Sequence, residues 1–138
     1  MIDMRRAMRQ ALREDAALAS VIGVDEDGET KIYTFPLKPN VSPPYVAVSL
    51  IPVPGVEGVY GDDEVMERYL LQMTGWARSE KEAWSVAVTL EPAIRAVRLQ
   101  VEPYEHTSTT RYQNVEPMFD TEANLWGVVM RYELFVGR

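Results

Sequence analysis

The residue best suited to proton transfer near neutral pH is histidine, and this 138-residue chain contains one, His106. Ser108 and Asp120 follow it closely, so a Ser-His-Asp set can be written from the sequence. However, no G-x-S-x-G elbow presents a nucleophile, and no pattern orders the histidine as a base. The sequence therefore favours a solvated loop histidine over a catalytic one.

Metal chemistry has weak support in the sequence. Glu102, Glu105 and His106 lie in one polar stretch, but zinc sites commonly need a second histidine or cysteines, and the chain has no cysteine. The absence of cysteine also excludes disulfides and thiolate catalysis. We predict no catalytic residue, no cofactor, no metal site and no enzymatic activity.

The segment around Asp25, Asp27 and Gly28 resembles the centre of a calcium-binding loop. In that register the first and twelfth ligand positions are Gly23 and Thr34, so both key carboxylates are missing. A solvated acidic turn is the better interpretation of these residues.

Three glycines spaced by three, Gly55, Gly58 and Gly61, raise the question of a phosphate loop. No Gly-Lys-Ser/Thr sequence and no helix follows them, so a mobile loop between strands explains them better. The acidic cluster that starts at Asp62 could supply general acids, but such clusters at the start of a strand usually face water.

Composition limits the class of function. The net charge is −7, from 21 acidic and 14 basic residues, and this argues against binding nucleic acid through a general positive field. The amino terminus is charged every few residues and does not resemble a signal peptide. No apolar run approaches the roughly 20 residues of a transmembrane helix. We expect one soluble domain over residues 1–138, made in a cytoplasm.

Hydrophobic periodicity predicts the elements that would carry any site. Asp15 interrupts the apolar stripe of the first helix and is well placed to cap a second short turn. Ser79 and Glu82 form a capping box at the start of the second helix, and Pro92 is expected to bend that helix rather than stop it. The predicted elements are helix 1 over about 2–22, strands over about 31–35, 45–51 and 64–77, helix 2 over about 80–97, a short strand near 98–101, a C-terminal strand over about 125–136, and loops at 53–63 and 103–124.

These elements predict an α+β fold. Two amphipathic helices carry one apolar stripe each, and one sheet can bury both stripes. We expect a mostly antiparallel four- to five-stranded sheet with the two amphipathic helices packed on one face.

The order of several short segments resembles the tail-completion, or tail-terminator, proteins of long-tailed bacteriophages and prophages. The matching residues are Ile22-Gly23, Lys31-Ile32-Tyr33, Pro44-Tyr45-Val46, Trp76-Ala77-Arg78-Ser79 and Glu82-Ala83, followed by the alternating strand "LWGVVMRYELFVGR". Each piece is short, so their order and spacing carry the resemblance. The insert Val24–Thr30, the glycine-rich 53–63 loop and Pro92 depart from the family pattern.

The resemblance implies a structural virion protein at the head-proximal end of a tail, assembled in the bacterial cytoplasm. It implies a homo-oligomer, a hexameric ring that caps the tail tube, stops its polymerisation and meets the head connector, while DNA passes through without specific binding. Such a ring needs two different patches that meet between neighbouring copies. The interface candidates are the basic stripe Arg5, Arg9 and Arg13 and the acidic residues Asp62, Asp63, Glu64 and Glu67.

Two alternatives remain open from the sequence. The first is another head–tail connector or minor tail protein of similar size. The second, from a different class, is a small ligand-binding domain or enzyme that uses the 53–63 loop or the segment around His106.

Overall fold

The computed structural model describes residues 4–34, 41–52, 58–60, 64–97, 106–111 and 116–137. Its elements follow the predicted overall order of helix, strands, helix and strands. The elements are α1 Met4–Arg13, α2 Ala16–Ile22, β1 Ile32–Thr34, β2 Tyr45–Pro52, β3 Gly58–Tyr60, β4 Glu64–Ala77, α3 Glu80–Ala96, β5 His106–Arg111, β6 Glu116–Asp120 and β7 Leu125–Gly137. No helix among the described residues is long and apolar enough to cross a membrane.

The strands form one mixed sheet, which confirms the predicted α+β class. The order is β1-β2-β4-β7-β5, with β3 beside β4 and β6 beside β7. Within the described residues, β1 and β2 pair in parallel and the other pairs are antiparallel. The sheet is therefore mostly antiparallel, as expected, but not purely so.

The centre of the sheet is the ladder between β4 and β7. It runs without interruption from Met66↔Gly137 to Ala77↔Trp126. Side chains alternate between the faces of a strand, so Leu71, Met73 and Val128 share the face that the helices cover. These positions are fully buried.

The three helices bury their apolar stripes against that face in one continuous core. The large side chains that are almost completely buried come from α1, α2, α3 and from β1, β4 and β7. They are Met8, Leu12, Leu18, Ile22, Ile32, Leu71, Met73, Leu90, Ile94, Met130 and Tyr132.

Helix α3 forms as its sequence predicts. The Ser79 hydroxyl accepts a hydrogen bond from the backbone N–H of Glu82 at 3.2 Å, which satisfies one of the free N–H groups of the first turn. The helix continues past Pro92, which lies on the exposed side, and ends at Ala96. Pro92 therefore does not stop the helix, in agreement with the prediction.

The sequence predicts that Asp15 interrupts helix 1 and caps a second short turn, and the structure confirms this: the region predicted as helix 1, about 2–22, forms two helices. The break falls at Glu14 and Asp15, where Asp15 adopts an extended backbone and its carboxylate accepts a hydrogen bond from the N–H of Leu18 at 2.9 Å. The reason is that an aspartate side chain competes for backbone N–H groups and so favours the start of a new helix over the interior of an old one.

The two predicted loops also contain strands. β3 lies within 53–63, and β5 and β6 lie within 103–124. The sequence of β5, "HTSTTR", is polar throughout, and β6 contains Pro117. Strands at a sheet edge are partly solvated and tolerate proline, so they lack the apolar alternation by which strands are found. The short strand predicted near 98–101 lies outside the described residues.

Gly75 sets how closely α3 approaches the sheet. A Cβ atom on Gly75 would lie 2.7 Å from Cγ1 of Val86, a separation that real Cβ atoms do not show. Val86 is fully buried in the core and lies on the side of α3 that faces β4. The missing side chain at position 75 therefore lets the helix and the central strand pack in direct contact.

We expect Gly75→Ala to lower the free energy of unfolding by about 1–3 kcal/mol, because the added methyl group overpacks this contact. Chemical denaturation monitored by circular dichroism measures the change. Gly75→Ala with Val86→Ala is the matched control, since it removes the clashing methyl groups, and the double variant should lose less than the sum of the two single variants. Strict additivity would contradict this account of the contact.

Candidate assembly surface

A short acidic turn lies against the C-terminal end of α1. Val24 and Thr30 bridge its two sides, and Oδ1 of Asp25 accepts hydrogen bonds from the N–H groups of Asp27 and Glu29. Asp25 therefore organises the turn with its own carboxylate. Because both N–H groups point at one oxygen, the turn that resembles a calcium loop is an Asx-type turn.

Arg13 ties this turn to α1 and to the sheet. Its guanidinium donates to the Glu29 carboxylate at 3.2 Å and to the Ile32 carbonyl at 3.1 Å. In return, the Thr30 hydroxyl donates to the Arg13 carbonyl at 3.2 Å. One arginine therefore joins a helix end, a turn and the first strand.

These residues line a charged cleft of about 360 Å³. Arg9 contributes to its wall, and Nε of Arg9 is buried without a hydrogen-bond partner within the part of the chain that the structure describes. The other lining residues are Arg13, Asp25, Asp27, Glu29, Tyr33 and Thr34. Both signs of charge meet in this cleft, which suits a polar protein contact better than an apolar ligand.

Tyr33 closes one side of the cleft. Its hydroxyl donates to Oδ2 of Asp25 at 3.2 Å. Burial raises the pKa of Tyr33 to about 12, with further contributions from the negative charge of Asp25 and from this hydrogen bond. The phenol is therefore a hydrogen-bond donor throughout the neutral range.

The structure describes only some of the predicted interface residues. Arg9 and Arg13 line the cleft, with Arg13 held by its own chain. Arg5 lies in α1, and Glu64 and Glu67 lie in β4, but their side chains are outside the described residues. Asp62 and Asp63 are outside them altogether. A contact between the basic stripe and the acidic segment of a neighbour stays a prediction.

The possible Ser-His-Asp set does not come together. His106 and Ser108 lie in β5, opposite Gly137 and Phe135 of β7, whereas Asp120 ends β6 opposite Leu125. Twelve residues of extended strand separate these two ends of β7, which is roughly 40 Å. His106 is also part of a strand and not of a loop, which corrects that expectation. Among the described residues, no group of three acidic or histidine side chains is arranged to hold a metal ion.

Two apolar surfaces lie exposed on different elements. On α3, Trp84 is 36% and Val88 69% exposed, and on β6, Met118 is 44% and Phe119 43% exposed. The sequence predicts a loop over 103–124, which includes the β6 residues, and so misses their exposure. The exposure of Val88 could be predicted from the sequence. Val88 lies two positions from both Val86 and Leu90, so it points to the opposite side of the helix.

Comparison with known proteins decides the family. The model of the family described as "Tail completion protein gp17" matches residues 6–137. The chain belongs to this family. No curated protein matches it in sequence. A chain from a solved structure titled "Virion of native gene transfer agent (GTA) particle" shares its fold, with a TM-score of 0.62 and 17% identity over 98% of this chain and 95% of that one.

Membership in the tail completion family confirms the resemblance that the sequence showed, and it makes the chain a structural protein of a phage tail. The match covers the Val24–Thr30 turn and the strands β3, β5 and β6, which the sequence analysis treated as departures or loops. These segments of the tail completion protein therefore lie inside the matched range.

In this tail completion protein, we expect Arg13→Gln to lower the free energy of unfolding by about 1–3 kcal/mol, because it removes a charged donor from the Ile32 carbonyl as well as from Glu29. Glu29→Gln is the matched control: it breaks only the exposed ion pair, which is worth about 0.2–1 kcal/mol. Urea denaturation of both variants measures the difference. Equal losses would show that the Ile32 contact contributes nothing.

We expect Tyr33→Phe to cost about 0.5–1.5 kcal/mol at pH 7, because the hydrogen bond to Asp25 is lost. The folded pKa of Tyr33 lies above its unfolded value of about 10, so its contribution is fully present below pH 10 and is lost as the pH rises through about 12. The gap in stability between the parent and Tyr33→Phe should therefore narrow from pH 10 to 12. Denaturation at a series of pH values measures it, and a constant gap would contradict the assignment.

Proposed function

We propose that this tail completion protein is a tail-terminator subunit. Six copies form a closed ring at the head-proximal end of the tail tube, and this ring stops tube polymerisation and meets the head connector. The observation that carries the proposal is the family match over almost the whole chain, residues 6–137. The alternative is another head–tail connector or minor tail protein, and the capping of purified tubes separates it from the terminator role.

The geometry supports assembly through different surfaces. A ring needs a heterologous interface, in which one patch of a copy meets another patch of the next. The described part of the chain offers a charged cleft at Arg9 and Arg13 and exposed apolar side chains on α3 and β6. Exposed tryptophan, methionine and phenylalanine are typical of interface centres.

The basic stripe of α1 is one half of a proposed contact. Arg5, Arg9 and Arg13 repeat every four residues, so they follow one side of the helix. In the proposed ring they meet the acidic 62–67 segment of the neighbouring copy. Arg13 is already bound by its own Glu29, so Arg5 and Arg9 would carry most of the contact.

The acidic charge of the chain fits a channel for DNA. A net charge of −7 opposes adhesion to a polyanion, so a ring built from this chain would let DNA pass without holding it. The tail tube protein and the head connector are then the other partners of the ring.

Light scattering over a range of protein concentrations, together with electron microscopy, tests the ring. We expect a closed six-fold ring, free or at one end of purified tail tubes, and no salt-sensitive binding of duplex DNA. A chain that stays monomeric at every concentration and leaves tubes uncapped would contradict the proposal. Rings that cap tubes but bind duplex DNA tightly would contradict only the proposal that DNA passes through without binding.

Charge reversal tests the stripe separately from the ring. We expect Arg5→Glu with Arg9→Glu to abolish the ring, while Arg13 is left in place to preserve the fold. The control Arg6→Glu with Gln10→Glu adds negative charge to another side of α1 and should leave the ring intact. Adding Asp62→Arg, Asp63→Arg and Glu67→Arg to the first variant should restore it. Rings unaffected by the reversal would remove the stripe from the interface.

A further inference from the structure

The outer face of α3 carries an apolar centre with basic neighbours. Val88, 69% exposed, lies on the side of the helix opposite the buried stripe, and Trp84 lies one turn before it. At 100° per residue, Lys81, Pro92 and Arg95 fall on the same face, within about 80° of arc, and all of these side chains are exposed. Arg95 pairs with Glu91 at 3.1 Å but keeps 62% of its side chain exposed.

β6, which pairs with β7 alone among the described strands, carries exposed apolar side chains with acidic neighbours. Met118 and Phe119 are each more than two-fifths exposed. As neighbours in a strand they point to opposite faces of the sheet, so a helix docked against the free side of β6 could contact both. The Phe119 ring packs against Trp126 at 5.1 Å between centroids. Asp120 and Glu122 follow directly, and the Asp120 carboxylate accepts from the N–H groups of Glu122 and Ala123, which fixes the turn that ends the strand. This acidic turn therefore has a fixed position beside the apolar pair.

From these two surfaces we propose that the outer face of α3 in one copy docks on β6 of a neighbouring copy. The occupant of each surface is a second copy of this chain, and this inference rests on the proposed ring. The centres are apolar on both sides, and the flanking charges are opposite: Lys81 and Arg95 on the helix, Asp120 and Glu122 on the strand. Complementary charge around an apolar centre directs two surfaces into one register.

The contact uses side chains and does not extend the sheet. Pro117 lies in β6 opposite Val128, and a proline has no N–H to donate to an added strand. A helix, which satisfies its own backbone, is therefore a better neighbour for this edge than another strand.

The two surfaces of one copy cannot contact each other. Val88 points away from the sheet, whereas β6 lies in the sheet at the far side of β7 from β4. A helix-to-strand contact joins unlike patches, so it repeats from copy to copy and gives a ring when the rotation closes. The contact thus supplies the type of interface that a terminator ring requires.

Disulfide trapping tests the contact, because the chain has no cysteine of its own. One sample mixes Val88→Cys with Met118→Cys, and another mixes Val88→Cys with Phe119→Cys, under mild oxidation with and without purified tail tubes. We expect a cross-linked dimer from at least one mixture, in at least tenfold higher yield than from Val88→Cys mixed with the control Ser20→Cys, which lies on the exposed side of α2. Placing both cysteines of the successful pair in one chain should give a ladder that ends at the ring size.

The outcomes separate the interface from the proposed function. Rings of the parent chain without cross-linking above the control in either mixture would overturn the α3–β6 contact and leave the terminator role intact. Efficient cross-linking by a chain that never caps tubes would support the contact and count against the terminator role. Val88→Glu is a check that does not depend on cysteine. It should raise the protein concentration needed for half-maximal ring assembly at least tenfold, while its melting temperature stays close to that of the parent. Ring assembly at the parent's concentration would contradict the contact.

Discussion

The ladder between β4 and β7 is the interaction on which the other parts of the fold depend. Twelve consecutive residue pairs join the two strands, and each strand carries a neighbour on its outer side, so neither is an edge. Helix α3 packs directly on this ladder because Gly75 leaves room for Val86. With α3 fixed there, α2 packs beside it and α1 covers β1 and β2. The core is therefore built outward from the middle of the sheet.

The same arrangement leaves the periphery free for assembly. The apolar stripe of α3 is used by the core, yet its opposite face still carries Trp84 and Val88. At the far side of β7, β6 completes the sheet with exposed apolar side chains on a proline-containing edge. Exposed aromatic and methionine side chains are enriched at protein interfaces. This fits a structural protein of a phage tail, whose function lies in its surfaces.

The charged cleft shows how one residue can serve fold and surface together. Arg13 was chosen from the sequence as part of a basic stripe, since its spacing from Arg5 and Arg9 is helical. The structure gives it partners 16 and 19 residues away, Glu29 and Ile32, which no local pattern can reveal. The stripe is therefore divided: Arg13 stabilises the Val24–Thr30 turn, and Arg9 lines the cleft beside it.

Local physical chemistry let the sequence alone determine α3, its Ser79 cap, the long strands β4 and β7, the α+β class and the resemblance to tail completion proteins. Each of these depends on residues within one element or on the order of elements. A strong hydrophobic period sets the type of element whatever its tertiary contacts. Tertiary structure decided the parallel pairing of β1 with β2, the strands β5 and β6, and the exposure of Trp84. These features depend on which segments meet in the folded chain. An edge strand needs no apolar alternation, so its sequence does not reveal it. A tryptophan on a helix is buried only if another element covers its side of the helix.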